Sequence, residues 1–397
     1  MKILALADLH MGSGAAYADD RLHDQMKVLE HVAQIAYNDD ISTVLIAGDV
    51  FHRPRPTPAT LLAFRKFVDV LAELNVQTVA ITGNAGHDIE AGDRPCALDL
   101  FASPWFHVSR RPELVTKVPG LSIATLPSVP VSRLVARSES AERGPVFDQA
   151  TEALLAVAYE LKAQADYEIA LPSGKRPATI LMGHWSVSGA SLPNGLPVDT
   201  LGEPILDLAS LERVGYDAIV LGHIHDPQPI GSLAPGDERM PVFYCGSPAC
   251  VDFGEADVAH GCWTFDTDEP GASLHFHRLK DRRFVTIDLS WADGSEGGIP
   301  PAALESVEGA VVRVRYIATE EQARRIDTAA LKKAILDAGA HRVFQISAEI
   351  VKEDRARVQG IDENLDPAAA LALWCEANEV DGEGLDDLLA RYSVTAP

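Results

Sequence analysis

A repeated arrangement of predicted strands and helices constrains this chain more than any other feature. Short apolar runs over residues 2–7, 43–47 and 77–81 alternate with segments over 24–37 and 58–74, in which apolar residues recur at helical spacing. Strands separated by helices indicate parallel pairing through right-handed crossovers. The first third of the chain is therefore predicted to form a parallel sheet flanked by helices.

The middle of the chain continues this pattern and then departs from it. A helix is predicted over 146–165, with strands over 178–182 and 218–221. Later apolar runs have no helical segment between them; they cover 242–245, 262–265, 273–277 and 283–289. We expect these late strands to form a second sheet packed on the first. The predicted fold class is α/β, a two-sheet sandwich flanked by helices and followed by a small α/β domain.

A change in composition indicates the domain organisation. The segment over 292–302 is rich in glycine, proline and small polar residues, as linkers are. We predict a large domain over 1–290, a linker over 291–306, a small domain over 307–360 and two short helices over 361–397.

Polar side chains follow the predicted strands at the point where each strand ends. In chain order they are Asp8, His10, Asp49, His52, Asn84, His87, Asp88, His184, His223 and His225. Because the carboxyl ends of strands form the ligand crevice of an open α/β sheet, we expect these side chains to meet at one edge. Glycine at 48, 83, 183 and 222 would permit the close backbone approach that a crowded site needs.

The side-chain chemistry indicates metal binding. Carboxylate, imidazole and amide ligands without thiolate suit manganese, magnesium, iron or zinc. Seven candidate ligands with one central aspartate exceed the need of one ion and fit two. Two ions about 3.5–4 Å apart can clamp both sides of an in-line phosphoryl displacement. Each motif alone is typical of an ordinary turn, but the ordered set predicts a two-metal site.

This ordered set resembles the calcineurin-like metallophosphoesterase superfamily, whose pattern is D-x-H, G-D, G-N-H-D/E, G-H and G-H-x-H. The stretch G-S-P-A-C-V-D-F-G-E over 246–255 resembles that of SbcD-type nucleases, as do residues 48–52 and 282–284. The small domain over 307–360 is similar in position to the capping domain of those nucleases. The resemblance implies a metallophosphoesterase sandwich with a cap.

The resemblance also implies roles for individual residues. The ligands would be Asp8, His10, Asp49 and His225 for a first metal, and Asp49, Asn84, His184 and His223 for a second. His52 would contact the scissile phosphate. The family histidine that follows the asparagine and assists the leaving group is displaced here by Ala85 and Gly86. Its nearest equivalent is His87, with Asp88 as the expected orienting partner.

The function implied is that of a DNA exo- and endonuclease that processes double-strand ends and hairpins. Its cofactors would be two divalent ions, with manganese expected. Its partner would be an SbcC-like coiled-coil ABC ATPase, bound by the segment over 361–397, and the chain would form a homodimer.

The overall charge points the other way. The formal charge is −24 and the isoelectric point is about 4.8, whereas nucleic-acid proteins usually carry a basic face. Local basic residues are the candidate DNA contacts: Arg53, Arg55, Arg278, Lys280, Arg282 and Arg283. Two bound divalent ions would also offset negative charge where phosphate binds.

Two alternatives to a nuclease remain open. One is a small-molecule phosphodiesterase or phosphatase of the same superfamily, and the other is a non-catalytic scaffold subunit with a degenerate site. No apolar run is long enough to span a membrane, and the apolar start is too short for a signal-peptide core. Five cysteines without a C-x-x-C pair fit a reducing cytoplasm.

Overall fold

The computed structural model describes most of the chain, namely residues 1–14, 18–90, 95–135, 143–167, 176–231, 240–271, 273–290, 299–351 and 366–377. The strands are β1 (Lys2–Leu6), β2 (Thr43–Ala47), β3 (Gln77–Ile81), β4 (Phe106–Ser109), β5 (Glu113–Val115), β6 (Leu121–Leu126), β7 (Ala178–His184), β8 (Ser186–Val187), β9 (Ile205–Leu206), β10 (Ala218–Gly222), β11 (Gln228–Ile230), β12 (Val242–Tyr244), β13 (Gly261–Asp266), β14 (His275–Arg278), β15 (Phe284–Ser290), β16 (Val311–Ala318) and β17 (Arg342–Ile350). The helices are α1 (Ala18–Asn38), α2 (Pro58–Glu73), α3 (Val131–Leu134), α4 (Arg143–Tyr167), α5 (Leu208–Val214), α6 (Pro301–Glu305), α7 (Glu320–Arg325), α8 (Thr328–Asp337) and α9 (Pro367–Ala377).

The first sheet has the strand order β14-β13-β1-β2-β3-β4. Its strands β1 to β4 are parallel, as predicted for strands joined by helices, and β13 and β14 add to one edge in antiparallel pairing. Side chains alternate across the sheet. Leu4 and Leu6 belong to the core shared with α1 and α2, whereas Ile3 and Ala5 belong to the core between the two sheets.

The second sheet has the order β11-β12-β10-β7-β6-β5. Strands β6, β7, β10 and β12 are parallel, and the edge strands β5 and β11 are antiparallel to their neighbours. One face packs on the first sheet through residues such as Ile180 and Val220, and the other packs against α4 and α5 through Leu181 and Ile219. The predicted two-sheet sandwich flanked by helices is confirmed.

The assignment of strands to sheets corrects one expectation. The four late strands were expected to build the second sheet together. Instead β12 lies in the second sheet, β13 and β14 extend the first, and β15 pairs with β16 in a separate three-stranded sheet. Periodicity indicates that a segment is a strand but not which strand it pairs with, because pairing is decided by tertiary packing.

The chain divides into two compact units, Met1–Val285 with Gly309–Val311 and Thr286–Glu308 with Val312–Pro397. The second unit contains the three-stranded sheet β15-β16-β17 and the helices α6 to α9, so it is a small α/β unit. The domain limits at 290, 306 and 360 stay predictions. Half of the predicted linker, residues 291–298, and the second of the two predicted C-terminal helices lie outside the described residues, and α6 lies in the other half of that linker.

No helix in the described ranges is sufficiently long and apolar to cross a bilayer.

Candidate metal centre

All seven predicted metal ligands meet at one end of the core between the two sheets. Asp8 and His10 follow β1, Asp49 follows β2 and Asn84 follows β3. The remaining three are His184 at the end of β7 and His223 and His225 after β10. Since β7 and β10 belong to the second sheet, the site is built by the carboxyl ends of two sheets and not by the edge of one.

One group of ligand atoms surrounds His10. The donor atoms of Asp8, His10 and His225 all lie within 4.8 Å of one another. His10 Nε2 is 3.1 Å from His225 Nε2 and 3.8 Å from Asp49 Oδ2. His225 Nε2 is 3.9 Å from Asp8 Oδ1.

A second group lies on the other side of Asp49. His184 Nε2 is 3.5 Å from Asp49 Oδ2, and the donor atoms of Asp8, Asp49 and His184 form a further set within 4.8 Å. Asn84 Nδ2 is 2.9 Å from His223 Nδ1, and the Asn84 backbone N–H donates to Asp49 Oδ1 at 2.6 Å. Asp8 belongs to both sets of donor atoms. Asp49 Oδ2 lies near His10 as well as His184, so both carboxylates stand between the two groups.

The hydrogen bonds around His184 fit a metal-binding role. Its Nδ1 donates to the carbonyl oxygen of Ala47 at 2.7 Å, so the lone pair lies on Nε2. This buried Nε2 has no hydrogen-bond partner among the described residues, although it faces the Asp49 carboxylate. An unpaired buried acceptor is costly unless something binds it. Carboxylate, imidazole and amide donors together suit a divalent cation such as manganese or zinc.

The backbone of the ligand loops is strained. Six non-glycine residues in the described ranges have positive φ, and four of them are candidate ligands: Asp8, His10, Asp49 and His223, with φ between 41° and 92°. Such conformations cost on the order of 1–3 kcal/mol each and cluster at functional sites. The surrounding packing therefore holds these side chains at the centre at the expense of backbone strain.

Charges in the centre shift one another's protonation. Burial raises the pKa of Asp8. Burial also opposes ionisation of Asp49, but the imidazoles of His184 and His10 lower the pKa of Asp49 well below its usual range. Burial disfavours the charged form of His184, yet the Asp49 carboxylate raises the pKa of His184 to about 9. Without metal, His184 Nε2 therefore takes up a proton that faces the Asp49 carboxylate, and a bound cation would take the place of that proton.

His52 and His87 lie beside the ligand groups. The two-residue insertion does not carry His87 away, because the chain turns back at Gly86, where φ is 101°. His87 Nε2 is 3.9 Å from Asp49 Oδ2, and the His87 and His10 rings are 4.6 Å apart. The rings of His52 and His87 are 5.6 Å apart. His10, His52 and His87 also form a set of donor atoms within 4.8 Å.

Asp88 does not orient His87, contrary to expectation. Its buried carboxylate accepts from the backbone N–H groups of Val50, Phe51 and Gly83 at 2.9–3.2 Å. It therefore ties the loop after β2 to the loop after β3. His87 Nδ1 donates instead to the carbonyl oxygen of His52 at 2.9 Å.

The candidate DNA contacts fall into two places. Arg53 and Arg55 are exposed in the loop after β2, where Arg55 pairs with Glu90 at 2.5 Å. Arg278, Lys280, Arg282 and Arg283 line a cavity of about 190 Å³. Arg282 is paired with Asp24, and its remaining amino group donates to the Gly309 carbonyl oxygen at 3.1 Å.

The structure adds polar residues that sequence reasoning missed. Glu203 contacts His223, Glu255 contacts His225, and Ser128 donates to Asn84 Oδ1 at 3.1 Å. Glu255 ends the D-F-G-E stretch, so that motif was a signal. Glu203 follows no strand, and Ser128 comes two residues after β6, a strand that was not predicted, so nothing in the sequence pointed to them.

Comparison with known proteins identifies the family to which the chain is similar. The model of the calcineurin-like phosphoesterase family matches residues 1–227, more than half of the chain. The chain is 26% identical over 262 residues to the SbcD component of the SbcCD nuclease of Escherichia coli K12, covering 64% of this chain and 62% of that protein. It is 27% identical over 279 residues to the SbcD component of the SbcCD nuclease of Bacillus subtilis, covering 68% and 67%.

A third relative is the DNA double-strand break repair protein Mre11 of Haloferax volcanii, 28% identical over 298 residues, with 74% of this chain and 56% of that protein covered. The match spans less than two thirds of the length of the Escherichia coli relative. The family match covers the residues that carry all seven clustered ligands. The chain therefore belongs to the calcineurin-like phosphoesterase family.

Proposed function

We propose that this protein is a metal-dependent DNA nuclease, the nuclease subunit of an SbcC–SbcD-like complex that processes double-strand ends and hairpins. The observation that carries the proposal is the position of Asp49. Its carboxylate lies 3.5 Å from His184, 3.8 Å from His10 and 3.9 Å from His87, between two groups of ligands. That is the placement expected of a carboxylate that bridges two metal ions.

The proposed ligand sets follow the two groups. Asp8, His10, Asp49 and His225 would hold the first ion, and Asp49, Asn84, His184 and His223 the second, with manganese as the proposed metal. When bound, two such ions would supply an activated water molecule and neutralise charge on a phosphate during in-line displacement.

The remaining groups act on the substrate. His52 and His87 lie next to the ligand groups without belonging to either in our proposal. His87 is partly exposed and donates through Nδ1 to the His52 carbonyl oxygen, so its Nε2 side faces the centre. We assign His87 to stabilising or protonating the leaving oxygen and His52 to contacting the scissile phosphate.

The choice of DNA as substrate is supported by the named relatives and by exposed basic residues. Arg53, Arg278 and Lys280 are exposed and are the stronger candidates for backbone phosphates. Arg282 is already paired with Asp24. Phosphate contacts position DNA without reading its sequence, so we expect little sequence preference.

The partner is proposed to be an SbcC-like coiled-coil ABC ATPase. Helix α9 lies in the segment over 361–397 and leaves Trp374 about half exposed, at 46%. We propose that this segment binds the ATPase, that the chain acts as a homodimer, that the small unit serves as a cap, and that the complex works in the cytoplasm. Truncation before Pro367 should keep metal-dependent nuclease activity and lose ATPase binding, measured by co-purification.

The experiment that tests the reaction class compares substrates. Manganese-loaded protein should hydrolyse both a generic phosphodiester, bis(p-nitrophenyl) phosphate, and linear duplex DNA. A protein without bound metal and without diesterase activity would be a scaffold. One that hydrolyses the small diester but leaves DNA intact would be a small-molecule phosphodiesterase.

A further inference from the structure

Each histidine of the G-H-x-H motif has a carboxylate behind it. His223 Nε2 is 2.6 Å from Glu203 Oε1, and His225 Nδ1 is 2.5 Å from Glu255 Oε1. We infer that Glu203 and Glu255 are positioning residues, one for each metal position: Glu255 holds His225 for the first metal, and Glu203 holds His223 for the second. The inference rests on the proposed two-metal site and assigns roles to two residues outside its ligand sets.

The hydrogen bonds determine which ring nitrogen faces the site. An ionised carboxylate only accepts hydrogen bonds, so the ring nitrogen that contacts it must carry a proton. In a neutral imidazole the other nitrogen then holds the lone pair that binds a metal. For His223 that nitrogen is Nδ1, 2.9 Å from Asn84 Nδ2, and for His225 it is Nε2, 3.1 Å from His10 Nε2.

The two histidines therefore need opposite tautomers. They are separated by one residue on one loop, yet His223 turns Nδ1 inward and His225 turns Nε2 inward. A single carboxylate could not impose both arrangements. Two carboxylates from different segments, one before β9 and one after the D-F-G sequence, meet this need.

The two carboxylates differ in how firmly they are held. The Glu255 side chain is only 8% exposed, and its Oε2 accepts from the Ser247 hydroxyl at 3.3 Å and from the Val251 backbone N–H at 2.9 Å. Both contacts lie inside the stretch over 246–255, which gives that motif a physical role. The Glu203 side chain is 33% exposed and is held by the Ser186 hydroxyl at 2.5 Å.

The difference in burial and hydrogen bonding between Glu255 and Glu203 predicts which metal position binds more tightly. Since His225 is supported by a buried and fully bonded carboxylate, the first metal position should bind more tightly than the second. Loss of a partner of this kind costs about 10- to 100-fold in metal affinity. Glu255→Ala should therefore lower the affinity of the first, tighter metal position. Glu203→Ala should lower the affinity of the second, weaker position.

The test is a calorimetric titration of the metal-free, full-length protein with manganese. We expect two steps for the wild type and a loss of about 10- to 100-fold in one different step for each alanine variant. Thermal unfolding of each metal-free variant shows whether it is folded. If Glu255→Ala fails to fold, Glu255→Gln keeps the size of the side chain and takes its place.

Two controls separate orientation from charge. Glu212→Gln removes one negative charge from an exposed glutamate on α5 and should leave both steps unchanged. Ser186→Ala removes no charge but takes away the donor to Glu203, so it should weaken the same step as Glu203→Ala, to a smaller degree.

Several outcomes would overturn the inference. One is that both alanine variants bind manganese with wild-type affinity. Another is that both variants weaken the same binding step. A third is that Glu212→Gln loses as much manganese affinity as the alanine variants do. A wild-type protein that binds no manganese would instead contradict the proposed function itself, so the two failures can be told apart.

Discussion

At the residue scale, three imidazoles of the centre each have one nitrogen held by a hydrogen bond from the protein. His184 is held by the Ala47 carbonyl oxygen, His225 by Glu255 and His223 by Glu203. The opposite nitrogen faces Asp49 in His184, Asp8 in His225 and the Asn84 amide in His223. Because ring orientation is set before any metal binds, the site is preorganised.

His87 differs from these rings, since no proposed ligand set includes it. His87→Ala should leave manganese content unchanged and lower kcat on linear duplex DNA by roughly 10²- to 10⁴-fold, the usual contribution of a general acid. Metal analysis and single-substrate kinetics measure the two effects. His275→Ala, at an exposed histidine on β14, is the matched control and should change neither. Normal turnover in His87→Ala would refute the assignment.

Two glycines at strand ends differ in how much space surrounds them. A Cβ at Gly222 would lie 2.0 Å from the Ala47 carbonyl oxygen, which also holds His184, whereas a Cβ at Gly183 would meet nothing closer than 3.5 Å. Gly222→Ala should lower the melting temperature and the manganese content. Gly183→Ala should change neither, although both positions looked equivalent in the sequence. Equal behaviour of the two variants would contradict the packing described.

The ligands could be predicted from sequence because each follows a strand directly. The contacts of Asp88 and Glu203 could not, because their partners come from distant segments. Asp88 was expected to serve its neighbour His87 but bonds backbone groups on two loops. Adjacency in sequence indicated proximity but not the hydrogen-bond partner.

At the element scale, a buried ion pair joins α1 to the loop between β14 and β15, and both of its partners contact the stretch that carries Glu255. Arg21 and Asp281 form two hydrogen bonds of 3.0 and 3.1 Å, and their side chains are 1% and 5% exposed. Arg21 also donates to the Cys250 carbonyl oxygen, and Asp281 accepts from the Cys250 N–H. This network holds in place the segment that positions His225.

Breaking this pair should destabilise the protein strongly. Arg21→Met leaves the Asp281 carboxylate buried without its partner, so the free energy of unfolding should fall by about 3–5 kcal/mol in urea titrations. Adding Asp281→Leu should recover part of the loss. Arg55→Met breaks an exposed pair with Glu90 and should change the free energy of unfolding little. A loss no larger in Arg21→Met than in Arg55→Met would contradict this account.

The elements themselves were largely predictable, and their pairing was not. Strands β2 and β3 and helix α2 were predicted nearly to the residue, since their apolar spacing is unambiguous. β6 was missed, and β13 was predicted in the wrong sheet. Sheet membership depends on contacts such as the antiparallel pairing of β13 with β1, more than 250 residues apart, which no local pattern reports.

At the scale of the whole molecule, the charge of −24 is distributed unevenly. Residues 286–397 carry 21 acidic and 11 basic residues, and the segment over 366–397 carries seven acidic residues and one basic residue. Some of the remaining acidic groups, such as Asp8 and Asp49, are buried in the centre and would be neutralised by metal. The net charge is therefore compatible with DNA as a substrate.

This distribution predicts that DNA affinity depends on metal. Metal-free protein should bind duplex DNA at least on the order of tenfold more weakly than manganese-loaded protein, and added salt should weaken both. Fluorescence anisotropy with labelled DNA measures the difference, and Asp49→Ala in manganese is the control that should resemble the metal-free state. Tight binding by the metal-free protein would contradict the prediction.

The most direct measurement is degradation of linear duplex DNA in manganese by wild type and by Asp49→Ala, with the metal content of both proteins determined in parallel. We predict that the wild type carries two manganese ions and degrades DNA, and that Asp49→Ala loses both metal and activity because its carboxylate serves both metal positions. Degradation by Asp49→Ala at the wild-type rate, or a metal-loaded wild type that leaves DNA intact, would contradict the account.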